Sequence, residues 1–216
     1  MKSMVGFLIC AMVSCFQVFC QSVNLIKFFP PIELDSINTL NFQAVYYQNA
    51  KVRGLPDKVA LKYFFNNKEE DMFGTEQGFN VDNNTYTTTS YKIQVIPLFS
   101  VKCKGLYLLS YGINSVLYIS MYDFGKDTIF NSNIISDFSD EMGNNVIHSI
   151  LFKDYIVTTE IGKKVYYKLY KIDCDAKKFK LLKSIERQNI NVQQDIIFNE
   201  ALKYLSIINK GILNQP

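Results

Sequence analysis

The sequence has no tryptophan and a single histidine, His148, among its 216 residues. A structural zinc site needs four cysteine or histidine ligands at close spacing, and this pattern is missing. No Gly-x-Ser-x-Gly elbow occurs, and the glycines of GTEQG (74–78) match neither phosphate-binding fingerprint. We therefore predict no metal and no cofactor, and these absences favour a protein that is not an enzyme.

The chain also lacks a concentrated block of one charge. Its 23 basic and 20 acidic residues are spread along the sequence and give a formal net charge of +3. Proteins that bind nucleic acid or anionic membranes usually concentrate lysine and arginine in one stretch or on one face. We therefore expect no nucleic-acid partner.

Residues 1–20 have the layout of a secretory signal peptide. Lys2 provides a positive start, and the stretch from Met4 to Phe19 contains no charged residue. This stretch is shorter than the roughly 20 apolar residues that a membrane-spanning helix needs. We predict cleavage after Cys20, so that the mature chain begins at Gln21 and residues 21–216 form a single β-rich domain.

A lipoprotein is the alternative, because bacterial lipoproteins are cut just before a cysteine that then carries the lipid. Cys15 and Cys20 are both candidate anchor residues. The bulky Phe19 before Cys20 is unfavourable for this processing, whereas Ser14 suits it but leaves a short apolar core. Either form is exported, to the periplasm, the extracellular medium or the outer membrane, and neither contains a transmembrane span.

Short runs rich in tyrosine, isoleucine, valine and threonine, separated by turn residues, dominate the chain after residue 70. Successive runs joined by short turns predict a mainly β fold built as an antiparallel meander. One or two short helices are expected, one of them after Pro56 and Asp57, where a helix favours proline and an acid. The predicted strands are 85–101, 106–111, 116–123, 128–136, 146–152, 154–161, 165–172 and 179–186.

An internal repeat relates residues 106–135 to residues 154–185, with strands and turns in the same order. Their offset of about 48 residues is close to the period of propeller blades. However, no Trp-Asp blade signature is present, and any antiparallel meander looks self-similar. The predicted architecture is therefore a meander with blade-like repeats, either propeller-like or a curved sheet, sandwich or barrel.

Two sets of residues are candidates for a structural or binding role. Cys103 and Cys174 remain after cleavage, and in an oxidising compartment they are candidates for a disulfide, with two buried thiols as the alternative. Strand alternation in VYYKLYKI (165–172) places Tyr166, Lys168 and Tyr170 on one face. This face is the candidate binding surface for sugars or anions, and simple cross-strand packing is the alternative.

The segments ALKYFFNN (60–67) and SDEMGN (139–144), with the Cys-Gln junction of the signal peptide, resemble uncharacterised exported proteins of Bacteroidetes. The resemblance implies an envelope location and a β-rich fold, and it brings no known activity. We expect a non-enzymatic envelope protein that binds a protein or glycan through aromatic-rich strands. The alternatives are a hydrolase that acts on a carbohydrate or peptide, and a periplasmic immunity-type protein.

The mature protein is expected to begin at Gln21 because the signal peptide is removed after Cys20. Intact-mass measurement on soluble and membrane fractions of the producing cells checks this. A lipid-sized mass increment on Cys15 or Cys20 in the membrane fraction would contradict it.

Overall fold

The computed structural model describes residues 24–33, 40–42, 46, 53–80, 84–137 and 146–188. The fold is mainly β, and β-strands that follow one another in the chain pair antiparallel in one long meander. This confirms the predicted fold class. The signal-peptide region with Cys15 and Cys20 lies outside the described residues.

Twelve strands, one α-helix and two 3-10 helices are described. The helical elements are α1 (Asp57–Phe64), η1 (Leu25–Phe28) and η2 (Glu69–Met72). The strands are β1 (Pro31–Ile32), β2 (Leu40–Asn41), β3 (Phe73–Asn80), β4 (Thr85–Lys92), β5 (Val95–Cys103), β6 (Leu106–Ile113), β7 (Val116–Asp123), β8 (Thr128–Asp137), β9 (Val146–Phe152), β10 (Tyr155–Ile161), β11 (Lys164–Asp173) and β12 (Lys178–Gln188).

Two four-stranded meanders, β5–β8 and β9–β12, make up most of the main sheet. The first and last turns of each meander contain a residue in the left-handed conformation at the same place. The left-handed conformation occurs at Lys104 and Lys153 after the first strand of each, and at Asp127 and Lys177 before the fourth. The segments 106–135 and 154–185, which the sequence relates to each other, form β6–β8 and β10–β12, the last three strands of the two meanders.

Side chains that bond the turn backbone explain part of this equivalence. Asp123, at the end of β7, accepts hydrogen bonds from the backbone N–H groups of Gly125 and Lys126. Asp173, at the end of β11, accepts one from Ala176 N–H. Short acidic side chains often close turns in this way. All the strands of both meanders form one continuous sheet rather than separate blades, which corresponds to the curved-sheet alternative.

The second meander folds back over one face of the first, which we call the inner face. Leu108, Ile119 and Met121 of the first meander share one hydrophobic cluster with Leu151 and Ile156 of the second, and all five are almost fully buried. In the described residues, β8 and β9 pair only at Asp137 and Ile147. The sheet can therefore bend between the meanders while remaining continuous.

The N-terminal elements cover the opposite, outer face of the first meander. Leu25 of η1 and Val59 and Ala60 of α1 pack with Leu109 and Tyr111 of β6. The helix starts where the sequence predicts, with Pro56 before it and Asp57 in its first turn. The first meander thus lies between two covering layers, which explains why β5, β6 and β7 are buried on both faces.

A disulfide joins Cys103 at the end of β5 to Cys174 after β11. Six strand spacings of about 4.8 Å would put β5 and β11 about 29 Å apart in a flat sheet. The Cα atoms of the two cysteines are 6.1 Å apart. The curvature of the sheet therefore creates the site of this bond.

Polar contacts between turns accompany the disulfide. Lys104 pairs with Asp175, and Lys177 Nζ lies 3.2 Å from Asp123 Oδ2. Asn131 Nδ2 donates a hydrogen bond of 2.5 Å to the backbone carbonyl of Lys177. The two meanders are therefore tied together at the end of the sheet that contains these turns.

The prediction of one strand over 85–101 is wrong, because this segment forms two strands in different sheets. The chain leaves β4 at Ile93 and enters β5 at Val95, where β5 pairs with β6. The sequence pattern also did not predict β3, in which Gly74 and Gly78 interrupt the run of strand-forming residues. Residue alternation cannot show where a chain passes from one sheet to another.

Breaking the disulfide is expected to lower the free energy of unfolding by about 2–4 kcal/mol, because the unfolded chain gains freedom in a loop of 71 residues. Urea denaturation with and without reductant measures this effect. In a Cys103→Ser/Cys174→Ser variant, reductant should change nothing further. A wild-type midpoint that does not respond to reductant would contradict the prediction.

Candidate interaction surface

Strands β3 and β4 form a two-stranded antiparallel sheet separate from the main sheet, and we name this pair the arm. Every residue of β4 is exposed, and so is almost every residue described on β3. Alternation in β4 places threonine or serine on both faces, so neither face is suited to packing on a core. Two strands with both faces in water are marginally stable by themselves.

The root of the arm is fixed to the body of the protein. Met72, just before β3, is buried, and its carbonyl accepts a hydrogen bond of 2.8 Å from the N–H of Ile93. Lys92 at the end of β4 forms an ion pair of 2.5 Å with Asp57 of α1. A cleft of about 580 Å³ lies beside this root, lined by residues of η1, α1 and the two ends of the arm. The arm thus begins from a defined position.

The register of the arm determines where its backbone groups point. Hydrogen-bonded and non-hydrogen-bonded residue pairs alternate along an antiparallel ladder. Met72 and Ile93 form a hydrogen-bonded pair, and the ladder continues without a shift to Asn80 and Thr85. Residues 86, 88, 90 and 92 therefore belong to non-hydrogen-bonded pairs. Their N–H and C=O groups point away from β3, toward the free edge of β4.

Three large aromatic side chains lie on one face of the arm, which we name the aromatic face. The exposed fractions of Phe73, Phe79 and Tyr86 are 58%, 47% and 77%. Phe79 and Tyr86 are directly opposite each other, with ring centroids 4.9 Å apart. Lys92 is the charged residue on this face, and its ammonium group forms an ion pair with Asp57. The aromatic face comprises Phe73, Thr75, Gln77, Phe79, Tyr86, Thr88, Ser90 and Lys92.

Tyr91 occupies the other face and stabilises the arm itself. Its ring lies across Gly74, where a Cβ atom would be 2.5 Å from Tyr91 Cζ. Any larger residue at this position would displace the exposed end of the Tyr91 ring. Gly74 therefore marks a close approach within the arm rather than a phosphate-binding loop.

The predicted binding face on β11 has internal partners in the structure. Lys168 Nζ lies 2.6 Å from both carboxylate oxygens of Glu160, so its charge is neutralised locally. Tyr170 packs against the shared inner core, and desolvation raises the pKa of its hydroxyl. Tyr166 lines an open groove of about 560 Å³. The three side chains do share one face, but two of them are engaged in packing and pairing.

Asp127 is the centre of a polar cluster between α1 and the β7–β8 turn. Its Oδ1 accepts hydrogen bonds of 2.6 Å from the hydroxyls of Tyr63 and Tyr122, and its Oδ2 lies 2.5 Å from Lys62 Nζ. Desolvation by itself would raise the pKa of Asp127, but these hydrogen bonds outweigh it and lower the pKa. Asp127 therefore stays ionised and anchors the helix, an arrangement that suits structure rather than proton transfer.

The described residues contain no group of three histidine, cysteine, aspartate or glutamate side chains placed to hold a metal ion. Among the described residues, no helix is long and apolar enough to span a bilayer.

Comparison of the chain with protein-family models, curated proteins and solved structures found no match. The resemblance to exported Bacteroidetes proteins stays a prediction.

A signal for the arm was present in the sequence. TYTTTSY (85–91) has high β-strand propensity but no aliphatic residue on either alternating face. Such a strand cannot bury an apolar face, so it belongs at an exposed position. The partner strand was harder to see because its two glycines disrupt the pattern.

His148 occupies a packing position on β9, opposite Thr159 of β10. Its Nε2 is buried and has no hydrogen-bond partner in the described part of the chain. Burial lowers the pKa of the imidazole below its ordinary value of 6.5, since the charged form loses its hydration. Burial in the folded protein therefore favours the neutral form of this imidazole.

Acidification below pH 6.5 is expected to lower the free energy of unfolding, because the unfolded chain takes up a proton on His148 before the folded chain does. Urea denaturation at about pH 7.5 and about pH 5.5 measures the change. The His148→Leu variant should lose less stability over this interval, since it has no imidazole to protonate. Equal losses in both proteins would show that other groups cause the effect.

Proposed function

We propose that this chain is an exported, non-enzymatic interaction protein that contacts a protein or glycan partner through the aromatic face of the arm. The observation that carries the proposal is the exposure of Phe73, Phe79 and Tyr86 on one face of a strand pair that stands apart from the core. Aromatic side chains supply large contact areas with few rotatable bonds and are enriched among residues that dominate binding energy.

Among the described residues, the arm's exposed aromatic side chains belong to neither hydrophobic core. Phe79 and Tyr86 are not members of the clusters on the inner or outer face of the first meander. Covering apolar surface releases about 25 cal/mol per Å². A partner seated on the aromatic face would therefore gain binding energy and would also stabilise a strand pair that is marginal when free.

Two further observations support export. Residues 1–20 have the charged and then apolar pattern of a signal peptide. The disulfide between Cys103 and Cys174 is of a kind that persists in oxidising compartments and is rare in the cytosol. An envelope or extracellular location is thus part of the proposal.

A photo-cross-linking amino acid at position 86, introduced in the producing cells, should yield a covalent adduct with a partner. The matched control is the same substitution at Phe124, which is 54% exposed and lies on the β7–β8 turn rather than on the arm. Mass spectrometry identifies each adduct as protein or glycan. Phe79→Ser/Tyr86→Ser should weaken binding of the identified partner by roughly tenfold or more.

Equal adduct yields at positions 86 and 124, or none at position 86, would contradict the proposed role of the arm. If the Phe79→Ser/Tyr86→Ser variant binds the identified partner as tightly as the wild type does, the proposed role of the aromatic face is wrong. Folding of each variant is checked by its disulfide and its denaturation midpoint.

A further inference from the structure

The cleft beside the root of the arm has the size of a small-molecule binding site. Its volume of about 580 Å³ lies within the range of about 300–1,000 Å³ that is usual for such sites. Leu55, Met72 and Val95 line it and are buried members of the hydrophobic cluster on the outer face. Phe28 and Ile93 also line it, and they are partly buried against the same cluster. These side chains give the cleft an apolar wall.

Backbone hydrogen bonds hold this wall in place. The N–H of Leu55 donates to the carbonyl of Val95, and the N–H of Ile93 donates to the carbonyl of Met72, both over 2.8 Å. The segment before α1 is thereby joined to the start of β5, and the two ends of the arm are joined to each other. A ligand that enters a preformed site loses less free energy to ordering of the protein.

The charged residues of the cleft leave one positive charge without a partner. Arg53, Asp57 and Lys92 are the charged residues among the described residues that line it, and Lys92 is paired with Asp57. Within the described part of the chain, the side chains of Arg53 and Gln94 have no ion-pair or hydrogen-bond partner. Both line the cleft, so a guanidinium and an amide group are available to a ligand.

We propose that this cleft binds an organic carboxylate with an apolar body, such as a medium-chain fatty acid. Arginine presents its N–H groups in a planar fork that matches a carboxylate. A carboxylate carries one negative charge, which Arg53 neutralises. A phosphate monoester would carry about 1.5–2 negative charges close to the carboxylate of Asp57. This site does not depend on the proposed function of the arm.

The test uses two fluorescent probes that differ by one charge. Anilinonaphthalene sulfonate is anionic, and its sulfonate stands in for the carboxylate. N-phenylnaphthylamine has the same rings and no sulfonate. The wild type should bind the anionic probe saturably, and decanoate below its micelle concentration should displace this probe. Decyl phosphate should displace it less effectively, because its extra charge has no partner in the cleft.

Four variants separate the contributions to binding. Arg53→Gln should weaken binding of decanoate and of the anionic probe about tenfold, because a hydrogen-bonded charge pair is lost, and should leave binding of N-phenylnaphthylamine unchanged. Arg53→Lys keeps the charge and should bind decanoate more tightly than Arg53→Gln does. Phe28→Ala should weaken binding of both probes, since it removes part of the apolar wall. Lys126→Gln is the matched control, because it removes an exposed positive charge from the β7–β8 turn, and it should bind decanoate like the wild type.

A wild-type protein that binds neither decanoate nor the anionic probe saturably would overturn the inference. Equal decanoate affinities of Arg53→Gln and Lys126→Gln would also overturn it, and displacement by decyl phosphate as effective as that by decanoate would overturn the choice of a carboxylate. The denaturation midpoint of each variant should match that of the wild type, which shows that it is folded.

The arm provides the comparison that separates this inference from the proposed function. Phe79→Ser/Tyr86→Ser should bind decanoate like the wild type, and a loss of binding in this variant would place the ligand on the aromatic face and overturn the inference. A cross-linked adduct at position 86 without decanoate binding would contradict the cleft site and leave the proposed function standing. Decanoate binding without such an adduct would contradict the proposed function instead.

Discussion

Burial of one meander against the other is the interaction on which the rest of this structure depends. The inner core contains residues such as Leu108 and Ile156 that are far apart along the meander and share one cluster only because the sheet folds back on itself. A single open meander would leave one apolar face in water. The free energy released when that apolar face is removed from water is the main contribution that favours the curvature.

The disulfide and the turn contacts act on a geometry that this burial has already produced. Cys103 and Cys174 come within bonding distance because β5 and β11 face each other across the inner core. The contacts of Lys177 with Asp123 and Asn131 are largely solvent-exposed and add little stability singly. Together with the covalent bond they fix the relative position of the two meanders at one end.

The outer face of the first meander determines where the arm begins. Its hydrophobic surface holds η1 and α1, and the Asp127 cluster ties α1 to the β7–β8 turn. The chain leaves α1, passes through η2, forms the arm and returns directly to β5. Met72 is buried, and its carbonyl accepts a hydrogen bond from the N–H of Ile93. The arm therefore leaves the body and returns to it at the same fixed point. A rigid root with an exposed strand pair is a suitable arrangement for presenting a binding surface.

The sequence by itself determined the mainly β class, the turns and most strand bounds, because these follow from local alternation and turn chemistry. Alternation also placed Tyr166, Lys168 and Tyr170 on one face, but it could not show that Tyr170 packs against the inner core or that Lys168 pairs with Glu160. Only the tertiary structure decided the fold-back of the meanders, the division of 85–101 between two sheets and the exposure of the arm. Each of these depends on contacts between residues distant in the chain, which local patterns do not encode.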